Sequence, residues 1–218
     1  MTRPYSLHWT MTRWVIDDQL NEFDEYSRLV ETSLNERSQA LADRLRQHME
    51  EDLPPEHAEA IAESCNDEGM MLVKRFPQLL RSSLFISAYS FLEQRLLDLC
   101  LHYQGKRDDQ VLLEDLADNG IAKCKTYLKK VVRADFPESS HEWQQILKYN
   151  KLRNQLVHGG PRLPQGKKGE KLRNTVVQLA DVTVNARPEI ELGPGFCESA
   201  VQTIRQFIAA LFPHLPED

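Results

Sequence analysis

A chain of 218 residues with 41% hydrophobic content and a mean hydropathy of −0.52 forms one domain of generous size, or one domain with an appended element. No apolar run is long enough to span a bilayer and the first twenty residues lack the apolar core of a signal peptide, so a cytoplasmic protein without membrane contact is expected. The net charge of −6 argues against indiscriminate nucleic-acid binding. Cys65, Cys100, Cys124 and Cys197 stand without C-x-x-C pairs and read as small hydrophobes of a reducing compartment.

Over residues 14–50, Phe23, Tyr26, Val30, Leu34, Leu41, Leu45 and Met49 recur at intervals of threes, fours and sevens, which predicts a long amphipathic helix. Asp52-Leu53-Pro54-Pro55 ends it, because proline has no amide donor and crowds the turn before it. A second helix is predicted from Glu56 to about Phe76. Its end, Met70-Met71-Leu72-Val73, reads as core or as a mobile surface for a partner. Pro77 suits the first position of the next helix, which runs to about Tyr103. From Leu84 to Leu92 that helix is apolar on nearly every side, as in the middle of a bundle, and Ser87, Ala88 and Ser90 let another helix come close.

A turn over 104–109 precedes a short helix at Val111–Leu116 and another at Ile121–Val132. Ser139 and Glu142 have the spacing of a capping box for the helix that follows. In that helix Ile146, Leu147, Tyr149, Leu152, Leu156 and Val157 recur at helical spacing, and Gly159-Gly160 supplies a left-handed stop. Residues 161–171 read as a flexible basic loop. Thr175–Gln178, Asp181–Asn185 and Glu189–Leu192 alternate like strands, and Gly193-Pro194-Gly195 turns into a last amphipathic helix, Phe196–Phe212. The expected fold is an all-α bundle with a small β-hairpin before the last helix. Residues 1–76 form an N-terminal helical extension packed on the core, and 77–218 form the main domain.

The charge is unevenly spread. Residues 1–69 hold 16 acidic against 6 basic side chains, whereas Lys148–Arg173 holds 8 basic against Glu170 alone. The positive stretch surrounds Arg153, Asn154 and His158. Asn154 and His158 are four apart and share a helix face, so the amide is placed to hold the imidazole in one orientation. Arg153 and His158 are five apart, about 7.5 Å along the axis and ~140° around it, so one helix points them in different directions. A second copy brought up across a twofold axis makes both pairs converge on one cleft.

The string Leu152-Arg153-Asn154-Gln155-Leu156-Val157-His158 resembles the R-N-x-x-x-H signature of the HEPN superfamily, whose members are helical, usually dimeric and often metal-independent ribonucleases. The long apolar helix upstream, the short helical insert, the motif helix and the closing helix fit that pattern, over roughly residues 78–212. The resemblance implies catalytic roles for Arg153, Asn154 and His158 and an RNA substrate, and the concentration of positive charge around them places Lys148, Lys151, Arg162, Lys167 and Lys168 to hold its phosphates. It also implies a homodimer, with an antitoxin or defence-system partner protein. Glu93, on the helix that packs behind the motif in this family, reads as an exposed side chain, with pairing to Arg153 or facing the cleft as the alternatives. Some HEPN toxins carry a tyrosine two residues after the histidine that a nucleotidyltransferase antitoxin modifies. Here Gly160 occupies that position, so that route of neutralisation is not expected. The rival reading is a non-catalytic HEPN interaction module that binds a partner protein or nucleotide.

No metal or cofactor is implied. His141-Glu142-Trp143-Gln144-Gln145 starts like a zinc-protease motif but has Gln145 where the second histidine belongs, and Gly166-Lys167-Lys168 lacks the spacing and hydroxyl of a P-loop. Cleavage by the substrate's own 2′-hydroxyl needs only a proton-transferring group and a fixed cation beside the phosphorane, tasks that suit imidazole and guanidinium.

Overall fold

The computed structural model of the chain describes residues 7–50, 55–106 and 111–216. The molecule is all-α with one two-stranded hairpin. Helix α1 (Leu7–Glu50) lies antiparallel to a second long run made of α2 (Pro55–Met70), a π-helical stretch (Met71–Arg75) and α3 (Phe76–Lys106). Pairings of Phe23 with Phe91, Glu31 with Arg81, and Arg44 with Glu68 fix the register of the two runs. The helix stop expected at residues 52–54 lies outside the described residues, and Pro55 opens α2.

The expected fresh start at Pro77 is corrected: α2 passes into α3 without a gap. The Phe76 amide bonds back to the Met71 carbonyl, five residues away. This wider turn shifts the backbone register just ahead of Pro77, which has no amide to donate and whose ring would crowd an ordinary α-turn. The expected division at residues 76–77 therefore falls inside a continuous helix. Ile16 and Leu20 of α1 belong to the main core, while Leu41, Cys65 and Leu72 form a separate small cluster at the far end of the helix pair. Between the two, Arg81 forks onto Glu31 at 2.5 and 2.8 Å and donates to the Leu192 carbonyl at 2.8 Å. A buried guanidinium with both carboxylate oxygens engaged fixes α1, α3 and the hairpin relative to one another.

Around α3 pack α4 (Gly120–Lys130), α5 (His141–Gly159) and α7 (Phe196–Leu211). Phe85, Tyr149 and Phe196 meet edge to face at 5.0–6.0 Å, and Phe136 and Trp143 do so at 4.8 Å. The helix expected over 111–116 is a single 3₁₀ turn, Leu113–Asp115. The capping residue of α5 is Ser140, not Ser139: its hydroxyl accepts from the Trp143 amide at 3.1 Å. The Ser140 position lets Trp143 enter the core.

Two further expectations are overturned after α5. The basic loop expected over 161–171 stops at Gly166, because Lys167–Val176 forms helix α6. Its low intrinsic propensity is offset by packing of Val176 and Leu172 on the core. Gly169 is required there, since a Cβ would overlap the Pro164 carbonyl oxygen. Thr175–Gln178 closes this helix and is not a strand. The hairpin itself is β1 (Val182–Val184) against β2 (Ile190–Leu192), antiparallel with Val182 opposite Leu192. Among the described residues, no helix is long and apolar enough to cross a membrane.

Candidate functional site

The rotation of α5 about its axis is set by Trp143, Ile146, Tyr149 and Leu152, all buried on one side. That leaves Asn150, Arg153 and Asn154 at the edge of the α3 contact, and His158 beyond it. The helix ends at Gly160, whose φ of +65° suits glycine.

Arg153 reaches back to α3. Its Nη2 donates to Glu93 Oε2 at 2.7 Å, and the guanidinium lies 5.6 Å from the centre of the Tyr89 ring. Its Nη1 donates to Asn154 Oδ1 at 3.1 Å. Asn154 donates in turn to Asn150 Oδ1 at 3.1 Å, and Asn150 donates to the Tyr89 hydroxyl at 2.6 Å. Five side chains from two helices thus form one connected polar network, with the guanidinium Nε buried and without a hydrogen-bond partner. Of the three fates open to Glu93, pairing with Arg153 is the one observed. The two side chains are 22–23% exposed, so this is a partly desolvated pair rather than a surface one.

Burial pushes the Glu93 carboxyl above its ordinary range, and the Arg153 charge opposes that rise. Burial likewise raises the Tyr89 hydroxyl. Glu93 is enclosed from a third side by α4, where a Cβ on Gly120 would come within 2.9 Å of its Oε1.

His158 behaves differently. It is exposed and has no hydrogen-bond or ion-pair partner among the described residues. The expected Asn154–His158 contact is not made, because both ends of the Asn154 amide are committed to Arg153 and Asn150. His158 instead lines an open cleft of about 600 Å³ together with Lys151, Asn154, Gln155, Arg162 and Lys168. The residues lining it include no carboxylate. Gln155 donates to the carbonyls of Gly160 at 3.2 Å and Arg162 at 2.9 Å, and Leu163 and Ile190 complete backbone bonds across to 188 and 161 at 2.8 Å. The segment that carries Arg162 is therefore fixed. Lys148 and Lys167, grouped with these residues by sequence, do not line the cleft.

The structure thus brings Lys151, Asn154, His158, Arg162 and Lys168 together and places Arg153 on the opposite flank of α5, joined to the cleft through Asn154. Sequence reasoning missed Asn150 and Tyr89. Asn150 stands four residues before Asn154, a helical spacing that signals it, whereas Tyr89 has no local signal. A cleft of four cations, counting His158 when protonated, concentrates anions beside an imidazole. Among the described residues, no group of three or more His, Cys, Asp or Glu is placed to hold a metal ion. Comparison with protein-family models, curated proteins and solved structures returned no match.

Proposed function

We propose that the chain is a HEPN-type endoribonuclease that cleaves RNA without a metal, works as a homodimer, and serves as a toxin or an antiviral-defence effector. The observation that supports this reading best is the end of α5, where His158 opens onto a cation-lined cleft and Arg153 is held within one residue of it. In the reaction the 2′-oxygen bonds to the adjacent phosphorus as its proton passes to an imidazole. The bond from phosphorus to the 5′-oxygen then breaks, and that oxygen takes a proton from an acid. A guanidinium beside the phosphorane stabilises the charge that develops on its equatorial oxygens. A twofold dimer supplies two imidazoles and two guanidinium groups to one cleft, which resolves the divergence of Arg153 and His158 on a single helix.

Purified protein incubated with RNA in EDTA tests the proposal. The wild type should cut, leaving 2′,3′-cyclic phosphate ends. His158→Ala should not cut, and a 2′-deoxy nucleotide at the cut site should block the reaction. The second reading, an interaction module, draws on the Glu93 carboxylate that already neutralises Arg153 and on an imidazole that nothing orients. Wild-type protein that binds a partner and leaves RNA intact would favour that reading.

A further inference from the structure

Away from α5, an apolar groove of about 750 Å³ opens between α1 and α3. On this side of α3 Leu79 and Ser83 face solvent, while Gln78 and Arg81 turn the other way to bond the hairpin at Leu192. The groove floor is Phe23, Val30, Leu80 and Leu84, and a second opening beyond it shares Phe76. Tyr26, Phe76 and Leu79 are 45–67% exposed along it. Monomeric proteins seldom leave adjacent large apolar side chains uncovered in this way.

The pattern along the groove is self-complementary. The contacts Glu31–Arg81 and Phe23–Phe91 put Val30 level with Ser83. On α3, Leu79 and Ser87 each stand four residues from Ser83, and Phe76 and Ser90 each stand seven away. Large side chains thus lie on one side of Ser83 and small ones at matching distances on the other. Inverting the helix about Ser83 lays Leu79 over Ser87 and Phe76 over Ser90. The same inversion on α1, about Val30, lays Tyr26 over Leu34 and Glu22 over Ser38, one residue from Arg37. Glu22 and Arg37 line the two openings, and neither has an ion-pair partner among the described residues.

We propose that this groove is the docking surface for a second copy of the chain. The two copies pack α1 on α1 and α3 on α3, antiparallel, about a twofold axis passing by Val30 and Ser83. The result is a four-helix layer in which the large side chains of α3 meet the small ones of its mate, Tyr26 packs on Leu34, and two Glu22–Arg37 pairs close the ends. This contact is separate from any pairing of the α5 helices and does not rest on RNA cleavage. A chain that uses both surfaces assembles beyond a dimer.

Ser83→Cys tests the geometry directly, because it sets each new thiol beside its own symmetry mate while the four native cysteines are buried. Mild oxidation should link most of the protein into a disulfide dimer. Gln94→Cys, exposed on the same helix eleven residues further on, lies ~33 Å from its mate in this arrangement and should stay unlinked. Leu79→Glu, at an exposed position where folding is unaffected, should weaken association at least ten-fold and prevent the Ser83→Cys link. Reversing Glu22 or Arg37 alone should weaken it about five-fold, and reversing both should restore it. Ser83→Cys that links no faster than Gln94→Cys overturns the proposal, as does an unchanged sedimentation mass for Leu79→Glu. Pairing through α5 alone would keep the two Ser83 positions apart and give that negative result.

Discussion

Removing the Arg153 side chain should destabilise the fold in a way that depends on pH, because it strands the Glu93 carboxylate between α3 and α4. The helix-end position of Arg153 suggests from sequence that the change costs little stability, and the observed pair corrects that expectation. Truncating one partner of a fully buried pair costs about 3–5 kcal/mol, and exposed pairs contribute about 0–1 kcal/mol. At 22–23% exposure the cost should fall between, about 2 kcal/mol. Loss of the stacking on Tyr89 accounts for about 0.5–1 kcal/mol of this and does not vary with pH.

The remainder follows Glu93. Its carboxyl titrates above the ordinary value of 4.5, so the folded state binds this proton more tightly than the unfolded state. Such a group favours folding most below the unfolded value, and that contribution disappears as pH rises through the folded one. Arg153 limits the rise, so Arg153→Ala should push the carboxyl higher and enlarge the deficit at neutral pH. At about 2–4 °C per kcal/mol for a chain of this size, Tm should fall by about 4–8 °C at pH 8 and by clearly less at pH 4.5. Glu93→Gln added to Arg153→Ala should recover at least half of the deficit at pH 8. Scanning calorimetry of the wild type, Arg153→Ala, Glu93→Gln and the double variant across this range is the assay. A deficit that is flat with pH, or that Glu93→Gln does not relieve, would refute the reasoning.

Gly169→Ala should cost several degrees of Tm and loosen the segment from 164 to 176, detectable by faster amide exchange there, since its Cβ overlaps the Pro164 carbonyl. His158→Ala should leave Tm within about 1 °C while abolishing cleavage, because the exposed ring has no partner to lose. Glutamate at Lys151, Arg162 and Lys168 together should weaken RNA binding across sequences and flatten its salt dependence by ~0.7 for each phosphate no longer neutralised. The same change at Lys148 and Lys167, outside the cleft, should do much less in a filter-binding titration.

Periodicity carried the helices because each buries a face at helical spacing. It reached from Phe23 to Leu45 and from Ile146 to Val157 with few exceptions. It failed where packing overrides propensity. Lys167–Val176 contains Gly169 and a run of cations, which read as a loop. Yet the segment is held by Val176 in the core and by a close backbone approach that only Gly169 allows. The π-helical turn before Pro77 was equally hidden, since proline marks a helix start as readily as a distorted interior.

For the site, the line between legible and hidden follows sequence distance. Arg153, Asn154 and His158 stand on one turn and a half of helix, so their divergence could be worked out from spacing. Partner choice could not. Spacing alone offers Asn154 to His158, four residues on. It cannot weigh that contact against Asn150, four residues back, or against a guanidinium already anchored by Glu93 sixty positions upstream. With the amide claimed on both sides, the imidazole is left free in a cleft of cations. Any orientation it acquires must come from outside this network, from a bound phosphate or from a second copy. Ring orientation should therefore be loose in the free protein and fixed on ligand binding, which ¹H–¹⁵N spectra of His158 recorded with and without a 2′-deoxy oligonucleotide would reveal. A single sharp tautomer signal in a monomeric, unliganded sample would show that the ring finds its partner within its own chain.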